Sequence, residues 1–421
     1  MSLHRVYLVG GAVRDQLLNL EVKDRDWVVL GSTPEQMLSY GYKQVGADFP
    51  VFLHPTSGEE YALARTDRKN GKGYGGFAVD FGVSVTLEDD LYRRDLTINA
   101  MALDSNNQII DPFNGQKDLT DRVFRHVSEA FAEDPLRVLR VARFMARYGH
   151  LGFKVAKETL ALMSHIVETK EIINLTAERV WKETEKALSE PSPALFFETL
   201  RACGALKVVY PEVDNLYGVP QSPQHHPEVC TGIHTMLVLE RVCELTACPA
   251  TRFAALCHDL GKAETEESVL PQHILHEERG AKLVEQLCKR YKVPKAFKEL
   301  ATMTARFHTG CHKIESYQSK TIVKFLEKLD AIRRPERFEK FLLACEADAQ
   351  GRTGLEHQKY NQVDVLRDAL QACKSVAMEP LLREGHRGKE LAQVIYRERV
   401  RLVVQSRKEL RVSLIRTKLL K

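Results

Sequence analysis

The hydrophobic periodicity of this chain changes once, near residue 120, and that change limits the folds open to it. Between residues 5 and 115, short apolar runs alternate with turn residues. Val6–Val9, 27–30, 51–54, 61–64 and Ile109–Ile110 read as strands, and 12–18 reads as a helix opening just after Gly10 and Gly11. The polar, Gly-rich stretch 66–76 reads as a mobile loop. Beyond residue 120, Leu136, Leu139, Val141, Phe144 and Met145 recur at helical spacing, and no further strand is expected. The expected architecture is an α/β head followed by a long all-helical body.

A chain of 421 residues exceeds one small core, so two to four domains are expected. Pro- and Gly-rich stretches at 211–227 and around 351–354 read as boundaries. No apolar run is long enough to cross a bilayer and no signal peptide is evident, so no membrane partner and a cytoplasmic location are expected. Nine cysteines fall between Cys203 and Cys373 without a C-x-x-C pair, which reads as reduced thiols. The net charge is +4, yet residues 383–421 hold twelve Lys/Arg against four Glu, a balance that suits a polyanion or a solvated helix face.

The chemistry-bearing residues begin at Gly10-Gly11-Ala12-Val13-Arg14-Asp15, a glycine pair between a strand and a helix. Glycine lets backbone approach a phosphate closely, the helix start offers free N–H groups, and Arg14 stands one turn in to add a charge. A plain turn has the same pattern. Asp24 and Asp26 follow, and on a strand they share a face. Two adjacent carboxylates repel unless cations lie between them, and oxygen ligands of this kind suit Mg²⁺, with two ions held roughly 3.5–4 Å apart. A solvent-facing pair is the plain alternative. Glu60 is a possible third carboxylate. Within 87–100, helical spacing places Asp90, Arg94 and Thr97 on one side.

Taken in order, Gly-Gly-x-Val-Arg-Asp, Asp-x-Asp, Arg93-Arg94-Asp95-x-Thr97-Ile98-Asn99-Ala100 and Glu133-Asp134-Pro135-x-Arg137-x-x-Arg140-x-x-Arg143 resemble the class II tRNA nucleotidyltransferases of the polymerase-β-like superfamily. The resemblance covers roughly residues 5–225. It implies that Asp24 and Asp26 are catalytic and bind Mg²⁺, and that Gly11, Arg14, Arg94, Arg140 and Arg143 contact CTP or ATP. One departure stands out: where the superfamily often has Gly-Ser before its Asp pair, this chain has Leu20-Glu21-Val22-Lys23, so no serine contact carries over.

Residues 133–147 read as one amphipathic helix with Pro135 in its first turn. Asp134 and Arg137 have the acceptor and donor types that would read the edge of cytosine or adenine, a route to base selection without a nucleic-acid template. A basic helix with internal ion pairs, or Asp134 as a simple cap, is the plain reading.

In the helical body, His234 precedes His258-Asp259-Leu260-Gly261-Lys262, and Asp348 lies further on. Imidazole plus carboxylate suits Mn, Ni, Co, Fe or Zn. The pattern resembles the HD phosphohydrolase superfamily, and the resemblance implies a metal site of His234, His258, Asp259 and Asp348, with His276 and His308 as further candidates. An HD module behind a class II head resembles the multifunctional bacterial CCA-adding enzymes over nearly the whole chain. That resemblance implies a mixed-sheet nucleotidyltransferase head (1–125), a helical neck and body (126–225), an all-helical HD domain (226–355) and a basic tail (356–421). It further implies CCA addition to the 3′ end of tRNA, recognised through that end and the acceptor region. Phosphatase, 2′-nucleotidase and 2′,3′-cyclic phosphodiesterase activities, favoured by Ni²⁺ or another transition metal, follow from the same likeness, in a monomer or homodimer. A bacterial poly(A) polymerase shares the head motifs but has no HD module, and the intact Asp pair argues against a non-catalytic RNA-binding scaffold.

Overall fold

The computed structural model describes residues 5–45, 51–69, 77–80 and 83–419. It divides into two compact units, 1–209 and 210–421.

The first unit is built on a seven-stranded mixed sheet. In chain order its strands are β1 (Val6–Val9), β2 (Asp26–Val29), β3 (Lys43–Val45), β4 (Val51–Leu53), β5 (Glu60–Leu63), β8 (Ala102–Leu103) and β9 (Ile109–Ile110), arranged β3-β4-β5-β2-β1-β8-β9. Only β2 and β5 run parallel. Period-two alternation sends consecutive residues to opposite faces. Val28 joins Val9, Leu91 and Ala100 in one core cluster, while Val29 joins Met37, Phe52 and Leu63 in another.

The five strands expected from periodicity are present within a residue of their expected ends, while β3 and β8 escaped it because two or three residues carry no readable period. The expected loop at 66–76 is in part a strand: β6 (Thr66–Lys69) pairs antiparallel with β7 (Phe77–Asp80), and 70–76 lie outside the described residues. A further two-residue parallel pair, β10 (Val123–Phe124) with β11 (Lys154–Val155), corrects the expectation of no strand beyond 120.

The helices of this unit are α1 (Gly11–Leu17), α2 (Pro34–Ser39), α3 (Leu87–Tyr92), α4 (Gly115–Asp121), α5 (Leu136–Tyr148), α6 (Lys157–Glu168), α7 (Ala177–Ser189), α8 (Ala194–Ala202) and α9 (Ala205–Val209). α5 packs on α7 and α8, and its Val138, Leu139, Val141 and Ala142 are fully buried.

The second unit is helical among its described residues: α10 (Pro211–Asp214), α11 (Thr231–Leu245), α12 (Pro249–Cys257), α13 (His276–Arg290), α14 (Lys295–His312), α15 (Ser319–Lys328), α16 (Pro335–Gln350), α17 (Asn361–Lys374), α18 (Met378–Arg383) and α19 (Gly388–Leu419). Helices α11, α12, α14 and α16 pack on one another, and α13 lies against α14. No helix among the described residues is long and apolar enough to cross a membrane. The nine cysteines are free thiols.

Candidate functional site

Two constellations stand apart, one in each unit. The first lines a cavity of about 1090 Å³ in the head unit. Its floor comes from the sheet. Val9 at the end of β1 pairs with Asp26 at the start of β2, so the carboxylate lies beside the Gly10 turn. Gly10 has φ +71°, a left-handed conformation natural to glycine, and an added Cβ would stand 2.8 Å from Arg94 Nη1. The two residues Asp24 and Asp26 both face the cavity, but only Asp26 belongs to the strand; Asp24 precedes it in irregular chain. The expected strand alternation therefore does not explain their pairing. Burial pushes the Asp26 carboxyl up from its ordinary value and the neighbouring Asp24 adds to this, while Arg94 and Arg140 pull it down. Glu60 is the register partner of Asp26 on β5, exposed and off the cavity wall.

Arginines form the opposite wall, each already held by a neighbour. Helix α3 ends at Tyr92, so Arg94 lies outside it and Thr97 opens a separate 3₁₀ turn, Thr97–Asn99, instead of continuing one helix as expected. Asp90 nevertheless meets Arg94 (3.0 Å) and Arg93 (2.6 Å), and the two cations hold this buried carboxyl below its usual range. Arg140 donates to Asp95 Oδ2 (2.8 Å), Arg143 to Glu183 Oε2 (2.6 Å) and Arg147 to Asp15 Oδ2 (3.0 Å). Arg14 is buried, donates to Asp15 and Asn99, and lies over the Tyr148 ring at 4.8 Å.

The helix expected from 133 begins at Leu136, because Asp134 is extended (φ −117°, ψ 101°) and 129–133 form a 3₁₀ turn. Asp134 Oδ1 accepts the Leu136 N–H (3.1 Å) and Oδ2 accepts from Arg179 (2.8 Å). Arg137 donates to the carbonyls of Ala130 and Arg93, both at 2.5 Å. Gly11, Arg14, Arg94, Asp134, Arg137, Arg140 and Arg143 thus line one cavity with Asp24 and Asp26. Sequence reasoning missed Asp15, Asp95, Asn99, Arg179 and Glu183. Asp15, Asp95 and Asn99 stood inside quoted motifs, whereas Arg179 and Glu183 on α7 carried no motif signal.

The second constellation lies inside the helical unit. Its residues come from five helices: His234 on α11, His258 capping α12 with Asp259 next, His276 opening α13, His308 and His312 on α14, and Asp348 on α16. Gly261 permits this convergence, since a Cβ there would stand 2.0 Å from the His276 carbonyl oxygen. Among the described residues three groups result, His226–Glu228–His234 at the rim and His234–His258–Asp348 and Asp259–His276–His308 inside, each with its ligand atoms within 4.8 Å of one another.

The hydrogen positions follow from the acceptors each ring meets. His258 Nδ1 lies 2.7 Å from the Ala255 carbonyl, His276 Nδ1 2.7 Å from the His273 carbonyl, and His308 Nδ1 3.1 Å from that of Thr304. A carbonyl only accepts, so these Nδ1 atoms carry the proton and Nε2 presents a lone pair. His234 stands between two carboxylates, with Nδ1 2.9 Å from Glu228 Oε1 and Nε2 3.1 Å from Asp348 Oδ1, so either nitrogen can carry its proton. His258 Nε2 and Asp259 Oδ1 are buried with no hydrogen-bond partner, and His276 Nε2 faces His308 Nε2 at 3.3 Å. Lone pairs converging without donors are what a divalent cation satisfies, so the residues fit a metal. Without one, burial pushes His258 down, but Asp259 and Asp348 outweigh it and raise it to about 9. Lys262 neutralises Asp259 (2.6 Å) and donates to Gln221. The expected residues His234, His258, Asp259 and Asp348 are brought together, with His276 and His308. Glu228, Lys262 and His312 were not foreseen; the His308/His312 spacing of one helical turn was the available signal for the last.

Comparison with known families follows this division. The family described as "Poly A polymerase head domain" matches residues 6–125, "Probable RNA and SrmB- binding site of polymerase A" matches 152–217, and "HD domain" matches 231–332. The chain is 57% identical to the "Multifunctional CCA protein" of Hahella chejuensis, over 94% of each chain. To the protein of that name from Thioalkalivibrio sulfidiphilus it is 55% identical, over 96% of this chain and 99% of the relative. Among solved structures, a CCA-adding enzyme with ATP aligns at TM-score 0.64 and 22% identity, covering 95% of this chain and 86% of that one. The Thermotoga maritima CCA-adding enzyme complexed with tRNA aligns at TM-score 0.61 and 20% identity, covering 96% and 91%. At that identity the likeness speaks to fold.

Proposed function

The chain belongs to the multifunctional CCA protein family, CCA-adding nucleotidyltransferases that carry an HD domain, and from that premise we propose that it builds and repairs the 3′-terminal CCA of tRNA from CTP and ATP. The 3′ hydroxyl attacks the α-phosphate of CTP, twice, and then of ATP; the new phosphodiester forms as pyrophosphate leaves. Asp24 and Asp26 are the residues that would hold Mg²⁺, which when bound neutralises the phosphates and favours the attacking alkoxide. The Gly10-Gly11 turn leaves room for the triphosphate. Arg94, Arg140 and Arg143 exchange their internal carboxylate partners for phosphate oxygens, and Arg14 shapes the wall behind them. Asp134 and Arg137 read the base edge, with Arg179 holding Asp134. One observation carries this reading: the Asp pair and the arginine row of α5 share a single cavity.

The HD module is proposed to hydrolyse phosphate esters, including 2′-nucleotides and 2′,3′-cyclic phosphates. His234, His258, Asp259 and Asp348 would hold Ni²⁺ or a related transition metal, which when bound activates water at neutral pH. Lys262 and Arg352, the latter 3.9 Å from Asp348, place positive charge where the substrate phosphate arrives. The four-part division of head, neck, HD domain and basic tail is retained as a functional map, and the cytoplasm as the site of action. The test is incubation with tRNA lacking its CCA, plus labelled CTP and ATP. Addition of C, C and A in that order is expected. A long adenosine tail would replace this reading with a poly(A) polymerase, and no incorporation would remove both.

A further inference from the structure

Around Asp348 the donors and acceptors run in one direction. Asp348 Oδ1 faces His234 Nε2 (3.1 Å) and His258 Nε2 (3.6 Å), while Oδ2 is 2.7 Å from His312 Nε2. On the far side of the same imidazole, the Tyr360 hydroxyl is 2.7 Å from Nδ1, with the two rings edge to face at 5.6 Å. An ionised carboxylate only accepts, so the proton in its contact with His312 belongs to Nε2. A neutral imidazole protonated there has a bare Nδ1, and the Tyr360 hydroxyl, which also lies 3.5 Å from Cys311 Sγ, donates to it at the much shorter distance. The order is therefore Tyr360 O–H to His312 Nδ1, then His312 Nε2–H to Asp348 Oδ2. His258, His276 and His308 carry the opposite tautomer and aim their lone pairs inward. His312 instead spends its Nε2 on the back of a carboxylate, which makes it a support and not a ligand.

We propose that His312 and Tyr360 form the outer support of the divalent-metal centre: they hold Asp348 by Oδ2 so that Oδ1 faces His234 and His258, and the centre's metal affinity depends on the Tyr360 hydroxyl. The proposal rests on reading the buried cluster as a metal centre. Partners behind a ligand fix its orientation, and their loss typically weakens metal binding about 10- to 100-fold. Tyr360 lies beyond residues 231–332, the part matched by the HD family, at the entry to α17. The chain after the matched region therefore supplies both Asp348 and the last member of its support.

The test is calorimetric titration of Ni²⁺ into full-length, chelator-stripped protein at one fixed pH, with the melting temperature of each metal-free variant recorded alongside. Tyr360→Phe keeps the ring and should weaken Ni²⁺ about tenfold. His312→Leu should weaken it further. His312→Gln should recover most of the loss, because an amide N–H can donate to Asp348 and an amide oxygen can accept from Tyr360. The Co²⁺-loaded Tyr360→Phe protein should also show an altered visible absorption spectrum. Lower melting temperatures with Ni²⁺ affinity unchanged would mean a packing role only and overturn the proposal. So would a His312→Gln variant as weak as His312→Leu, since that outcome makes His312 a ligand. If Tyr360→Phe does not fold, the Gln and Leu pair at position 312 decides. Failure of the wild-type protein to bind Ni²⁺, Co²⁺ or Mn²⁺ would remove the metal reading itself, and the support with it.

Discussion

The two constellations solve opposite electrostatic problems. In the head cavity, cations outnumber the free carboxylates, and the arginines are parked on internal acids: Arg94 on Asp90, Arg140 on Asp95, Arg143 on Glu183. In the helical unit, imidazoles and carboxylates surround a buried point with polar atoms left without hydrogen-bond partners. On the proposed function, the first arrangement would await a polyanion that brings its own cations, and the second would be assembled for a resident ion before any substrate arrives. A charge buried without a partner is costly, so each site stores its charge in the form its ligand will replace.

The largest effect should come from separating the two. Asp24→Ala or Asp26→Ala should reduce nucleotide addition to background and leave 2′,3′-cyclic AMP hydrolysis near wild type. Parallel loss of both activities in a folded variant would refute the division of labour. His258→Ala or Asp259→Ala should do the reverse. EDTA should stop both reactions, Mg²⁺ should restore addition, and Ni²⁺ should restore hydrolysis preferentially. Full recovery of hydrolysis by Mg²⁺ alone would contradict a transition-metal centre.

The contrast also makes a pH prediction. His258 is raised from 6.5 to about 9 in the metal-free fold. A raised value means that the protonated form stabilises the metal-free unit below the ordinary value, and that this contribution is lost as pH rises through about 9. Ni²⁺ must displace that proton, so its affinity should climb with pH, by about tenfold per unit, and level off above about 9. A calorimetric series from pH 6.5 upward measures the slope, and a flat profile would show that His258 binds the ion without releasing a proton.

The smallest effect concerns base choice. Loss of a buried polar partner costs about 1–3 kcal/mol, roughly tenfold or more in discrimination. Asp134→Ala should raise UTP or GTP use relative to CTP and ATP, while Arg94→Ala should weaken all four alike, because a phosphate contact reads no base. The measurement is kcat/KM for each nucleotide on tRNA ending before the CCA. The geometry sharpens the competing outcome: Asp134 bonds the first amide of α5 and Arg179. If Asp134→Ala lowers the melting temperature with the CTP:UTP ratio intact, the residue is a cap and not a reader.

What could be read along the chain was local. The strands at Val6–Val9 and Ile109–Ile110, the glycine turn, the Asp pair and the HD dipeptide each announce themselves within a few residues, because backbone preference and motif chemistry act over that range. Family likeness then joined motifs that periodicity alone could not connect. Helix ends were misjudged for the same local reason: helical spacing continued past Tyr92 and back to 133, whereas the extended backbone of Asp134 and the turn after α3 answer to contacts made elsewhere. Partnership is what the tertiary structure decided. Arg140 meets Asp95 across 45 residues, His234 meets Asp348 across 114, and Tyr148 meets Asp15 across 133. Such pairings depend on how sheet and helices pack, and a donor's chemistry names the kind of partner it needs without naming which residue packing will bring. That is why the residues of the candidate metal centre could be named from the chain, while His312 and Tyr360 behind them emerged only once α14, α16 and the start of α17 were set side by side.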